Sequence, residues 1–180
     1  MALTSTVYTC EIDLADHDRQ VYDSLSLRVA RHPSESEDYF WTRLLAYAVE
    51  FVDGIAFSRG GLSDPDEPAV AVRDLTGGIR AWIEVGLPEA ERLHRAMKAA
   101  PRVAVYTHRD PAQWLKRLAG ERIHRSDALE LYEIDRGLIA SLAAHLDRRL
   151  AFALSISERE LTVSIGTATL SGPIARLSIA

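Results

Sequence analysis

Through the middle of this chain, segments with helical spacing alternate with segments of strand character, while at both ends strand segments follow one another directly. A mixed β-sheet flanked by helices satisfies both patterns, because helices between strands act as parallel crossovers and adjacent strands close as antiparallel hairpins. At the N-terminus, residues 6–12 read as a strand, and Leu25, Leu27 and Val29 alternate with Ser24, Ser26 and Arg28 to form its antiparallel partner. Ser34, with Glu37 three residues on, predicts the N-cap of a helix that carries Phe40, Trp41, Leu44, Leu45 and Ala48 and ends near Asp53-Gly54. Residues 58–68 are turn formers and predict a loop.

Strands are then expected at 69–72 and 79–85 around a Gly77-Gly78 turn, at 102–107 and at 129–134. Between them lie a helix with Pro88 in its first turn and a stripe of Leu93, Ala96, Met97 and Ala100, and a helix opened by Asp110-Pro111 that carries Trp114, Leu115 and Leu118. Asp135 predicts the cap of a last helix with Leu138, Ile139 and Leu142. Alternation on either side of residues 157–160 predicts a C-terminal hairpin, and a short strand over 175–179 follows Gly172-Pro173.

A chain of 180 residues accommodates one domain, 1–180, with a single core. The lone cysteine, Cys10, rules out an intramolecular disulfide and a zinc cage, and reads as a small buried hydrophobe. Without a basic and apolar leader or a long apolar run, a cytoplasmic, non-membrane protein is expected. The net charge of -5 lowers the expectation of broad nucleic-acid binding, yet its distribution is uneven. Arg92, Arg95, Lys98, Arg102, Arg109, Lys116, Arg117, Arg122 and Arg125 form a basic window opposed only by Asp110 and Glu121.

The sequence contains no phosphate-binding Gly-Lys-Ser/Thr loop, no dinucleotide fingerprint and no nucleophile elbow, and its histidines lack metal-binding spacing. What remains is a dispersed acidic set: Glu35 in the first turn of the first helix, Asp66-Glu67 before a strand, and Glu84 in the next strand on the same side as Trp82. A carboxylate in an interior strand needs a partner or a cation. Three such acids meeting at one point would suit magnesium, a hard ion that takes oxygen ligands. The plainer reading is that Glu35 complements its helix N-terminus, Asp66 makes a turn and Glu84 pairs with an arginine.

The segments Arg31-His32-Pro33-Ser34-Glu35, Arg43-Leu44-Leu45-Ala46, Ser58-Arg59-Gly60, Asp66-Glu67-Pro68 and Trp82-Ile83-Glu84-Val85-Gly86-Leu87-Pro88 occur in one order along essentially the whole chain, which closely resembles the YaeQ family of small bacterial proteins. The resemblance implies a variant of the PD-(D/E)XK nuclease-like fold. It also implies a metal and water site at Glu35, Asp66 (with Glu67 as the alternative) and Glu84, of which Asp66 and Glu84 would hold the metal. The lysine of that motif is absent, its place being taken by Gly86, and Arg92 and Arg95 on one face of the following helix are the cations available to replace it.

Two functions follow from this as expectations. One is a magnesium-dependent (or manganese-dependent) phosphodiesterase that holds nucleic acid along the Arg92 to Arg125 window. The other is a catalytically inactive nuclease-like module that binds a protein or nucleic-acid partner and needs no metal.

Overall fold

Alternation of apolar and polar residues builds the first sheet. In β1 (Thr6–Asp16) Tyr8, Cys10, Ile12 and Leu14 are buried while Thr9, Glu11 and Asp13 are exposed, and β2 (Val21–Arg31) pairs with it antiparallel from Thr6↔Arg31 to Asp16↔Val21. The computed structural model describes residues 4–59, 64 and 66–179. It divides into two compact units, Met1–Trp41 with Ile134–Ala175, and Thr42–Glu133 with Arg176–Ala180. Among the described residues four α-helices and the strands make a mixed α+β fold, and no helix is long and apolar enough to cross a membrane.

In the first unit β1 also pairs in parallel with β8 (Arg149–Ser157), which forms the expected hairpin with β9 (Glu160–Ile165); β10 (Ala168–Leu177) adds antiparallel to β9. The order is β2-β1-β8-β9-β10. Aromatic pairs seal its core, with Tyr8 and Phe40 rings 4.8 Å apart and Trp41 and Phe152 rings 5.4 Å apart. The last strand differs from the expected 175–179, because it starts earlier and runs straight through Gly172-Pro173. A Cβ at Gly172 would stand 2.6 Å from the Cβ of Asp135, and the Pro173 carbonyl accepts the Asp135 N–H at 3.0 Å. The glycine allows close approach inside a strand where its neighbour with proline suggests a turn.

Helix α1 (Glu37–Val49) is shorter than expected at both ends. Its cap is Ser36, whose Oγ accepts the Tyr39 N–H at 3.1 Å, whereas Ser34 Oγ lies 2.6 Å from His32 Nδ1. Residues 32–35 form a turn of their own, closed by the Glu35 N–H donating to the His32 carbonyl at 2.9 Å. Beyond α1, Gly54 takes φ +91° and lies so close to the main chain of Arg73 that a Cβ would meet its carbonyl oxygen at 2.2 Å, so only glycine fits.

The second unit holds β3 (Ile55–Phe57), β4 (Val70–Arg73), β5 (Ile79–Val85), β6 (Arg102–Thr107) and β7 (Glu130–Ile134) in the order β7-β6-β5-β4-β3. Strand β3, only three residues long, was too short to register as alternation and lies where the sequence pattern gave no strand. Helices α2 (Ala90–Ala99) and α3 (Ala112–Ala119) make the crossovers that leave β5, β6 and β7 parallel, as the alternating order predicts. Their stripes, Leu93, Ala96, Met97, Trp114 and Leu118, bury against Trp82, Val103, Val105 and Leu131. Trp114 is tolerated there because its indole N–H donates to the Pro88 carbonyl at 2.8 Å.

Helix α4 (Arg136–Ala143) in the first unit is capped as expected, the Asp135 carboxylate accepting the Leu138 N–H at 2.9 Å. Asp135→Ala is expected to lower stability by about 1 kcal/mol, and Asp135→Asn by much less. Urea denaturation of the two variants checks this, and equal losses would discount the cap.

Candidate functional site

Strand geometry sets the site. In β5 the side chains of Trp82 and Glu84 share a side, and Glu84, 4 % exposed, accepts the Trp82 indole N–H at 2.6 Å through Oε1. The chain then turns at Gly86, which takes φ +95° and donates its N–H to the Tyr106 carbonyl at 2.9 Å, and α2 begins four residues later. One turn along the chain of α2, Arg92 returns to β5: its Nε donates to the same Glu84 Oε1 at 2.8 Å.

The rest of the guanidinium faces the loop before β4. Its Nη1 donates to the Asp64 carbonyl at 3.0 Å and its Nη2 to the Glu67 carbonyl at 2.7 Å, and the group lies 5.9 Å from the centre of the Trp82 ring. Arg92 therefore brings Glu84 together with the main-chain carbonyls of Asp64 and Glu67. Burial raises the Glu84 carboxyl above its ordinary range, against the opposing pull of Arg92 and of the Trp82 hydrogen bond.

The side chains of the other expected site residues have contacts or settings of their own. Asp66 is exposed and donates its backbone N–H to Asp64 Oδ1 at 2.9 Å, and the Glu67 carboxylate accepts from Ser58 Oγ at 2.8 Å and the Arg59 N–H at 3.3 Å. Arg95 is exposed on α2. Glu35 belongs to the first unit and precedes α1 instead of opening it; 3 % exposed, it accepts the His32 N–H at 3.0 Å, and its carbonyl accepts from Arg31.

Among the described residues no group of three or more His, Cys, Asp or Glu side chains is arranged to hold a metal ion. Oε1 of Glu84 is engaged by an indole and a guanidinium, and among the described residues no acids are grouped with it as a cation cage, so the residues in place do not fit the ion that the family resemblance implies. Glu84 behaves as the plainer sequence reading has it, paired with an arginine.

A second polar cluster escaped the sequence reading. Arg102 at the start of β6 grips two carboxylates, Glu50 at 2.6 and 3.0 Å and Glu130 at 2.7 and 3.0 Å. Tyr106 donates to Glu50, Tyr132 donates to Glu130 at 2.8 Å, and the two tyrosine rings stack 5.0 Å apart. Arg176 donates to the Tyr132 hydroxyl at 2.7 Å. Burial and the adjoining Glu50 push the Tyr106 hydroxyl well up. Burial would raise Glu130 too, but the hydrogen bonds from Arg102 and Tyr132 leave it below the usual carboxylate range. The signal was present in the alternation of Arg102 with Tyr106 and of Glu130 with Tyr132, but it becomes visible only when β6 and β7 are set side by side with Tyr106 opposite Tyr132.

Arg102→Ala leaves Glu50, 9 % exposed, without its cation, and should cost about 2 to 4 kcal/mol, allowing for the partial exposure of the arginine itself. A drop in urea-derived stability below about 1 kcal/mol would show the cluster to be energetically idle. For Glu84 the sign of the pH effect is set by its raised folded-state value: the folded chain holds this proton more tightly than the unfolded chain. Its contribution is fully present below about pH 4, where the unfolded carboxyl titrates, and is lost as pH rises through the folded-state value. Measured against Glu84→Gln, the wild-type chain should therefore lose relative stability from about pH 4 upward; a difference that grows with pH would reverse the assignment.

The family described as YaeQ protein matches residues 1–172 of the chain. The uncharacterized protein YaeQ of Escherichia coli (strain K12) is 32% identical over 166 residues, covering 91% of each chain, and the same protein of Salmonella typhi matches at the same identity and extent. The crystal structure of YaeQ protein from Pseudomonas syringae superposes with a TM-score of 0.89 at 31% identity, covering 97% of this chain and 96% of that one. The structure of YaeQ protein from Xanthomonas axonopodis pv. citri gives 0.87 at 30% identity, covering 98% and 100%. In sequence and in fold alike, this chain belongs to the YaeQ family.

Proposed function

We propose that this chain is a variant of the PD-(D/E)XK nuclease-like fold that binds nucleic acid without cutting it. One observation carries the reading: Glu84, the acid on which hydrolysis would turn, is occupied by Arg92 and Trp82, and the place of the motif lysine is Gly86. A carboxylate so engaged is poorly placed to share a metal ion with a phosphate.

Binding is supported by how the basic window divides. Arg92, Arg102 and Arg125 are engaged by the protein itself, Arg125 remaining exposed while it donates to the Met97 and Ala100 carbonyls at the end of α2. Arg95, Lys98, Arg109, Lys116, Arg117 and Arg122 are exposed. Such side chains suit phosphate oxygens, and binding through phosphates weakens steeply with salt. A cytoplasmic location belongs to the same proposal and is supported by a sequence whose single cysteine provides no internal disulfide framework.

Fluorescence anisotropy with labelled duplex and single-stranded probes tests both halves. Binding should appear at about 50 mM salt and fall linearly on a logarithmic salt scale; Lys116→Glu with Arg117→Glu should weaken it roughly tenfold and reduce the slope by about two. The probes should emerge intact after incubation with magnesium or manganese. Cutting that disappears in Glu84→Ala would overturn the non-catalytic reading, and failure to bind any probe at low salt would overturn the partner.

A further inference from the structure

We propose that Arg92 is the resident cation of the Glu84 site: its guanidinium holds the seat that a divalent ion would otherwise take, so the wild-type chain accepts no such ion there and loss of this one side chain opens a cation site. Three oxygens from two stretches of chain, β5 and the segment before β4, converge on one positive group, and each nitrogen meets a different one: Nε the Glu84 carboxylate, Nη1 the Asp64 carbonyl, Nη2 the Glu67 carbonyl. A carboxylate and two main-chain carbonyls form an all-oxygen donor set, the kind that hard cations select. In this chain the cation already in place among them is covalently part of the protein.

The chemistry on either side of the contact supports this assignment over a simple strut. The side chain of Arg92 is 20% exposed and that of Glu84 6%, so the pair is screened from water on the carboxylate side and the charge of Glu84 needs a near partner. With Arg92 removed, the Trp82 N–H remains as a neutral donor, the two carbonyls lose theirs, and Asp66 and Glu67 add negative charge close by in sequence. A guanidinium spreads its charge across a plane, and oxygens spaced around it stand wider than the inner shell of a small ion. A hydrated ion would therefore bond Glu84 directly and reach the carbonyls through its waters, which magnesium and manganese retain readily. Gly86 offers no competing ammonium.

The test uses the full chain as wild type, Arg92→Met, and Arg92→Met combined with Glu84→Gln, with manganese and terbium ions as probes. Arg92→Met keeps the length of the side chain and removes its charge. Millimolar manganese should leave the wild-type melting temperature unchanged, raise that of Arg92→Met by several degrees, and leave the double variant unchanged. Terbium should show emission sensitised by tryptophan in Arg92→Met alone, since the Trp82 indole is hydrogen-bonded to the proposed ligand. An Arg92→Met chain that unfolds but is restored by manganese, and not when Glu84 is also replaced, gives the same answer. Wild-type chain that binds manganese through Glu84, or Arg92→Met that neither binds nor is restored, overturns the proposal. The inference shares its premise about Glu84 with the non-catalytic reading but not its partner, so a failure to bind nucleic acid leaves the metal result untouched.

Discussion

A carboxylate buried in an interior strand must be matched by a cation, and at Glu84 the local architecture follows from the way this demand is met. The cation arrives from α2, which requires the chain to leave β5 through a tight turn and start a helix at once; Gly86 with its positive φ makes that turn. Once Arg92 has reached Glu84, its remaining two nitrogens bond main-chain oxygen, the carbonyls of Asp64 and Glu67. A single arginine thus orients the first turns of α2 and fastens Asp64 and Glu67 ahead of β4.

The same logic recurs at Arg102, where one guanidinium serves two carboxylates and two tyrosines complete their hydrogen bonding. Bidentate geometry of this kind is the natural role of arginine and beyond the reach of lysine. It also changes how the basic window is read, because a count of positive residues treats inward and outward side chains alike. Only those that remain exposed are free to create an electrostatic surface.

Elements with strong periodicity were legible in the sequence: the β1 and β2 pairing, the β5-α2-β6-α3-β7 order, the cap at Asp135 and the hairpin of β8 and β9 all appear where alternation or helical spacing places them. What was hidden depends on contacts between distant residues. Ser34 and Ser36 are equally good caps on paper, and the choice falls to Ser36 because Ser34 meets His32 in the preceding turn. Gly172-Pro173 reads as a turn until the proximity of Asp135 shows why a strand needs glycine there. Of the candidate site, the side of the strand that carries Glu84 and its need for a cation were legible; that Arg92 meets it while Arg95 stays exposed was not, since both lie on α2 within one turn.

The Arg102 cluster joins residues far apart along the chain, with Glu50 lying 52 positions and Glu130 28 positions from the arginine that serves them both. The guanidinium of Arg102 makes all four of its carboxylate hydrogen bonds only when all three stretches have been brought together. An intermediate that joins Arg102 to one carboxylate and omits the other forgoes half of those hydrogen bonds, so part of the gain arrives only with the last stretch. Such a cluster favours all-or-none assembly of the second unit, so its contribution is felt as cooperativity as well as net stability.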